Sequence, residues 1–243
     1  MLDVDDTIVL QGKENLPSDA VTAVIAKARK KIHVCLATAR TLTDTQKVLK
    51  HLSLSGPCVL TNGTQIYDPV AKTIIQEVQL PLDVCPAIFS LCKKYHLQVM
   101  IYDGQNDIHY IDDRKVEKVL SIYIPEVEIN KADVLVKAFS IDSRIHVQKL
   151  AAWDKRFMSL DITSNKASKQ HGILQVAEIL NISTDEIIGV GDGYNDFPLL
   201  MACGLKIAMG NAVPELKAIA DFVAPTVYED GVVTVIKKFV LTA

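Results

Sequence analysis

The sequence predicts an α/β fold: a parallel-sheet core in two pieces, with an α+β module inserted between them. Three observations carry this. Near both ends of the chain, short and almost wholly apolar runs (residues 32–37, 57–60, 186–190 and 205–209) alternate with helix-like stretches. That is the grammar of strands covered by helices on both faces. Between about residues 80 and 162 the grammar changes to helices beside alternating, antiparallel-looking strands. Finally, four core segments stop in polar groups: Asp3/Asp5, Thr38, Asn62-Gly63 and Asp192/Asp196. Open parallel sheets bind ligands at the carboxyl ends of their strands.

Composition narrows the class. A chain of 243 residues holds one large or two modest domains, and here 49% of residues are hydrophobic and 23% charged, as in globular proteins. A net charge of −3 leaves no basic footprint for nucleic acid. No apolar run is long enough to span a bilayer, and acids at residue 3 argue against a leader segment, so a cytoplasmic location is expected. Cys35, Cys58, Cys85, Cys92 and Cys203 are odd in number and scattered, which suits reduced thiols.

In chain order, only Met1 and Leu2 precede Asp3, so the first strand is expected to be short. After a polar segment at residues 11–15, Ser18 is a good N-cap for a helix carrying Val21, Val24, Ile25 and Ala28 on one face. A buried strand over 32–37 leads to Thr38-Ala39-Arg40, and a helix follows over 44–52. The run 57–60 is the next strand, and 65–67 with 73–78 reads as a hairpin around Asp68-Pro69. The insert is expected to carry helices over 84–95 and 131–140. Its strands are expected over 98–102, 108–111, 121–124, 145–150 and 157–162. The core then resumes with a helix over 168–180, the strand 186–190 and the loop GDGYND. After these come a short helix to Ala202, the strand 205–209, a helix with Pro214 in its first turn, the strand 222–224 and a last helix from Gly231. The boundaries read as 1–79 and 163–243 for the core and 80–162 for the insert.

The chemistry sits at the strand ends. Residues two apart on a strand share a face, so Asp3 and Asp5 point the same way and repel unless a cation lies between them. A hard ion such as Mg²⁺ suits one or two carboxylates plus phosphate oxygens. An acidic solvated turn would explain this pair alone, but not four polar strand ends together. Thr38 has a hydroxyl that can donate to a phosphate oxygen. Lys169 stands near a helix start, where a cation opposes the dipole. It either is solvated or neutralises phosphate and carboxylates, and Lys166 competes for that part. Gly172, inside the same helix, costs stability relative to alanine and suggests close packing against a neighbouring loop.

The succession DVDDT, LATAR, TNGTQIYD, a lysine, GVGDGYND and IAMGNA resembles the haloacid dehalogenase-like superfamily, and within it the Cof-type sugar phosphatases with a type IIB cap. The resemblance implies a Rossmann-like core with an inserted α+β cap domain. It implies a Mg²⁺-dependent phosphatase acting on a small phosphorylated metabolite, such as a sugar phosphate, through an aspartyl-phosphate. Asp3 takes the nucleophile's place, Asp5 that of the acid and base, and Thr38 and Lys169 bind phosphate. Lys169 is preferred to Lys166 because it precedes a Gly-Ile pair. Asp3, the Asp5 carbonyl and Asp192 are implied to hold the metal, with Asp196 supporting it and Asn195 near the phosphate. Arg40 and Asn62 complete the expected substrate-binding set. Asp6 stands where glycine is commonest. A phosphomutase, a non-catalytic phosphosugar-binding protein and a receiver-type signalling module are the competing readings. A receiver carries its aspartate mid-chain and is about half this length. For Trp153 and Arg156 a buried tryptophan and a solvated arginine are preferred to substrate contacts, and a monomer or weak homodimer is expected.

Overall fold

The computed structural model describes residues 1–10, 15–110, 116–151, 154 and 156–242. It divides into two compact units, Met1–Gln76 with Lys169–Ala243, and Glu77–Ser168.

The first unit is built on a parallel sheet. Its strands are β1 (Cys58–Leu60), β2 (Gln65–Asp68), β3 (Thr73–Glu77), β9 (Ile188–Gly191), β10 (Leu205–Ala208) and β11 (Phe222–Val223), numbered along the whole chain. β9, β10 and β11 pair in parallel. β1 and β2 pair antiparallel, with β3 beyond β2. Two short segments complete the sheet between β1 and β9. Ala37 pairs in parallel with Val59, and Leu2 pairs with Leu36 on one side and Val190 on the other. The first strand is short as expected but bonded on both sides. Leu2 N–H donates to the Cys35 carbonyl (2.9 Å), Ala37 N–H to the Leu2 carbonyl (2.8 Å) and Asp3 N–H to the Val190 carbonyl (2.9 Å).

Helices cover the sheet because their apolar faces must be buried. Ser18 caps α1 (Asp19–Ala28) by accepting from Val21 N–H, and Val21, Val24, Ile25 and Ala28 are buried. Thr41 caps α2 (Leu42–Leu52) by accepting from Asp44 N–H, so this helix starts at Leu42 rather than at the expected Asp44. The run 32–37 pairs only at Leu36 and Ala37. Its first residue is spent on the helix exit, where Lys31 and Ile32 N–H groups both donate to the Ala28 carbonyl. Likewise Ser183 caps the turn Thr184–Glu186, so β9 begins at Ile188 rather than Glu186. α5 (Lys169–Leu180), α6 (Phe197–Met201), α7 (Pro214–Ala218) and α8 (Gly231–Ile236) complete this unit.

Among its described residues the second unit has a five-stranded antiparallel sheet and two α-helices, α3 (Cys85–Lys94) and α4 (Ile129–Phe139). Its strands are β4 (Met100–Tyr102), β5 (Asp107–His109), β6 (Ser121–Glu128), β7 (Ile145–Ala151) and β8 (Phe157–Ser164), in the order β5-β4-β6-β8-β7. β6 runs beyond its apolar stretch through Pro125, which a register shift between Ile124 and Val127 accommodates. The pleat sorts the side chains. Ile122, Ile124, Leu160 and Ile162 join Ile88 and Leu135 in one apolar cluster. The alternate positions Ser121, Tyr123, Ser159, Asp161 and Thr163 make the other face polar, and Tyr123 Oη donates to Ser159 Oγ (2.7 Å). The architecture is thus a Rossmann-like parallel core with an inserted antiparallel cap. Ile111, Trp153, Lys155 and most of the polar segment after Leu10 lie outside the described residues. Among the described residues no helix is long and apolar enough to cross a membrane.

Candidate active site

Parallel pairing brings the carboxyl ends of the core segments together. After Asp3 the chain turns back, with the Val4 carbonyl accepting from Ile8 (3.0 Å) and Val9 (3.1 Å) N–H groups and Asp6 at φ 54°. Two side chains brace this turn. Thr7 Oγ1 donates to Asp192 Oδ1 (3.2 Å), and Asn211 Nδ2 donates to the Asp6 carbonyl (2.8 Å). Asn211 Oδ1 in turn accepts from Val227 N–H (2.9 Å). Neither Thr7 nor Asn211 has a role in the sequence reading, because each acts over about 200 residues of chain.

Lys169 is the cation at the centre. It is the first residue of α5 and only 1% exposed, and its Nζ donates to Asp3 Oδ1 and to Asp196 Oδ1, both at 2.6 Å. Burial opposes its charge, but Asp196 and then Asp3 outweigh that and hold its pKa above the ordinary lysine value. Lys166 is exposed in the turn before the helix, so geometry separates the two candidate lysines. Asp196 is fully buried, and its second oxygen accepts from Asp192 and Gly193 N–H groups, both at 2.9 Å. Gly191 is required here, because a Cβ at this position would lie 2.5 Å from Asp196 Cγ.

Asp3, Asp192 and Asp196 each place a carboxylate oxygen within 4.8 Å of the others. Burial, then repulsion from Asp196, pushes Asp3 up to about 7, with Lys169 working the other way. Burial, then repulsion from Asp3 and Asp196, pushes Asp192 up to about 9. Carboxylates crowded this way favour a further cation among them. Their hard oxygen donors fit Mg²⁺, which takes one or two carboxylates and keeps other positions for water or phosphate. Asp3 and Asp192 fit as direct ligands. Both oxygens of Asp196 already accept hydrogen bonds, which fits a supporting place.

Asp5 does not join that cluster through its side chain. Arg40 grips it with a bidentate pair, Nε to Oδ2 at 2.8 Å and Nη2 to Oδ1 at 2.7 Å. Arg40 is 7% exposed, and its charge is held above the ordinary value against burial by Asp5, then Asp44 and Asp3. Thr38 is buried, and its Oγ1 accepts from Arg40 N–H (3.1 Å), which leaves its own proton for donation. Asn62 is buried in the left-handed region (φ 51°), and its N–H donates to the Thr38 carbonyl (3.0 Å). Asn195 lies half-buried on the loop between Gly193 and Asp196. Structure therefore gathers Asp3, Lys169, Asp192 and Asp196 into one cluster and Asp5, Thr38 and Arg40 into a second, hydrogen-bonded group. Arg156, by contrast, is exposed and pairs with Asp154.

The family profile described as haloacid dehalogenase-like hydrolase matches residues 1–236. The chain belongs to this family. Among its relatives is a 5-amino-6-(5-phospho-D-ribitylamino)uracil phosphatase, YcsE of Bacillus subtilis, 26% identical over 99% of this chain and 94% of that one. A haloacid dehalogenase-like hydrolase from B. subtilis superposes with a TM-score of 0.84 at 20% identity, covering 98% of each chain. The subclass IIB sugar phosphatase BT4131 superposes with a TM-score of 0.81 at 18% identity, covering 98% of this chain and 96% of that one. The haloacid dehalogenase-like fold thus extends over core and cap alike.

Proposed function

We propose that this chain is a Mg²⁺-dependent phosphatase that hydrolyses a small phosphorylated metabolite through an aspartyl-phosphate on Asp3. The observation that carries this reading is the buried cluster itself. A lysine 1% exposed lies 2.6 Å from two aspartates, and a third carboxylate stands within 4.8 Å of both. A phosphate entering that cluster meets positive charge fixed in a dry setting, where it acts most strongly.

Asp3 and Asp192 would hold Mg²⁺, which would supply charge neutralisation to the phosphate. The remaining steps belong to the chain's own residues. An Asp3 oxygen attacks phosphorus, the phosphorus–ester oxygen bond breaks, and Asp5 gives its proton to the departing oxygen. Asp5 then takes a proton from water, the resulting hydroxide oxygen bonds to phosphorus, and the Asp3–phosphorus bond breaks to release phosphate. Both Asp5 oxygens accept from Arg40 in this arrangement, so one must leave Arg40 and carry a proton before the departing oxygen can receive it. Lys169, Thr38 and Asn195 hold the phosphate, and Asp196 holds Lys169.

A polyol or sugar phosphate is the favoured substrate class. YcsE carries a phosphorylated ribityl group in its name and BT4131 is a sugar phosphatase. The test is release of inorganic phosphate from an aryl phosphate with and without Mg²⁺, then from a panel of phosphorylated sugars and polyols. Expected is Mg²⁺-dependent release that Asp3→Asn abolishes. Transfer to added sugar instead of water would make the protein a phosphomutase. No turnover of any panel member would leave a binding protein.

A further inference from the structure

We infer that Gly172 is a positioning residue for Lys169: its missing side chain lets α5 seat directly on Val59 of β1, at the depth from which the lysine reaches both aspartates. This inference rests on the proposed phosphate-binding part of Lys169.

A Cβ built on Gly172 would lie 2.4 Å from Val59 Cγ1, 3.0 Å from Cγ2 and 3.2 Å from Cβ. The obstacle is thus the whole branched end of a short side chain, not the tip of a flexible one. Val59 cannot yield easily. It is fully buried, and branching at its Cβ restricts χ1. Its backbone is pinned from both sides, pairing with Ala37 in parallel and with Ile66 antiparallel. Its N–H donates to the Leu36 carbonyl (2.8 Å) and its carbonyl accepts from Thr38 N–H (2.9 Å). An alanine at 172 therefore needs about 1 Å of relief to reach ordinary contact, and the helix is the part that moves.

Lys169 is three residues earlier, on the same helix face. Its Nζ bonds are 2.6 Å long, and a retreat of about 1 Å along them takes them past the hydrogen-bond limit. The stem has no room to compensate, because the residue is 1% exposed and packed. That shift disturbs a phosphate-binding group, whereas a glycine kept only for helix packing would affect stability alone. Glycine within a helix costs about 1 kcal/mol relative to alanine, so its presence here needs such a reason.

The experiment compares Gly172→Ala, Val59→Ala and the double variant by crystal structure, melting temperature and aryl-phosphate kinetics well below melting. A 1 Å misplacement of a catalytic group can cost about 100-fold. Gly172→Ala should therefore lose about that much kcat and show Lys169 Nζ displaced from Asp3 and Asp196. Val59→Ala should stay within several-fold of the parent. The double variant should regain most of the lost kcat and the two short contacts, a non-additivity expected only of touching residues. Lys169 unmoved in Gly172→Ala, or a loss that Val59→Ala fails to relieve, would overturn the inference. A lower melting temperature with unchanged kcat would do the same. The crystallographic contacts judge the positioning even if the parent turns over no phosphate ester, an outcome that would sink the proposed function instead.

Discussion

Replacing Lys169 by methionine keeps the shape of the buried stem and removes only its charge and donors. Two charge-assisted bonds at 2.6 Å disappear, and Asp3, Asp192 and Asp196 remain within 4.8 Å of one another. Bonds to charged groups are worth about 1.5–3 kcal/mol each. Breaking a buried pair by removing one partner costs about 3–5 kcal/mol. Protonation of the carboxylates limits the damage, so the lower figure of about 3 kcal/mol is expected. For a chain of this size that is a fall of roughly 6–12 °C in melting temperature.

The sign of the pH dependence follows from Asp3. Its folded pKa, about 7, is raised above the ordinary value, first by burial, so its contribution to stability is lost as pH rises through that value. Lys169 is the partner that lowers it, and in the variant the loss continues to higher pH. The deficit should therefore widen between pH 7 and pH 9. The assay is thermal unfolding in EDTA across that range, beside Lys166→Met as the exposed control. Mg²⁺ should recover part of the deficit in Lys169→Met and much less in the parent. A fall below 2 °C, or an equal fall in the Lys166 variant, would refute the claim that Lys169 neutralises the cluster.

Asp192→Asn should weaken Mg²⁺ activation, with excess Mg²⁺ restoring part of the rate; a titration with unchanged midpoint would remove Asp192 from the metal site. Arg40→Lys replaces a fork by a point charge, so kcat should fall about tenfold on a sugar phosphate and less on an aryl phosphate, whose leaving group needs little acid. Equal losses on both would mean that Arg40 acts on substrate rather than on Asp5. Asp5→Asn should show a burst of phenolate up to one per site and leave phosphate on Asp3, because it lacks the base for the second step. Acid quench and peptide mapping locate the label, and a label on any other residue would overturn the nucleophile.

Local signals in the chain were enough for the fold class and the polar strand ends. Apolar runs become buried strands because both sheet faces are covered, and Ser18 caps its helix because an orphan N–H needs an acceptor nearby. Such forces act within a few residues and can be read from neighbours alone. Where a local competitor intervenes, element boundaries shift: the exit turn of α1 consumes the start of the run 32–37, and the Thr41 cap starts α2 at Leu42, ahead of Asp44. Other questions were decided only by tertiary structure. Lys169 and Lys166 are three apart and chemically alike, yet one is buried against Asp3 and Asp196 and the other faces solvent. Arg40, expected among the substrate contacts, is hydrogen-bonded to Asp5 across 35 residues. Thr7 meets Asp192 across 185, and Gly172 packs not on the expected loop but on Val59 of β1, because α5 lies directly on the sheet. The polar face of the cap sheet emerges only when β6 and β8 are placed in register. Each of these depends on which surfaces meet when the chain closes on itself. Burial and charge pairing are properties of that closure, and no stretch of neighbouring residues contains them.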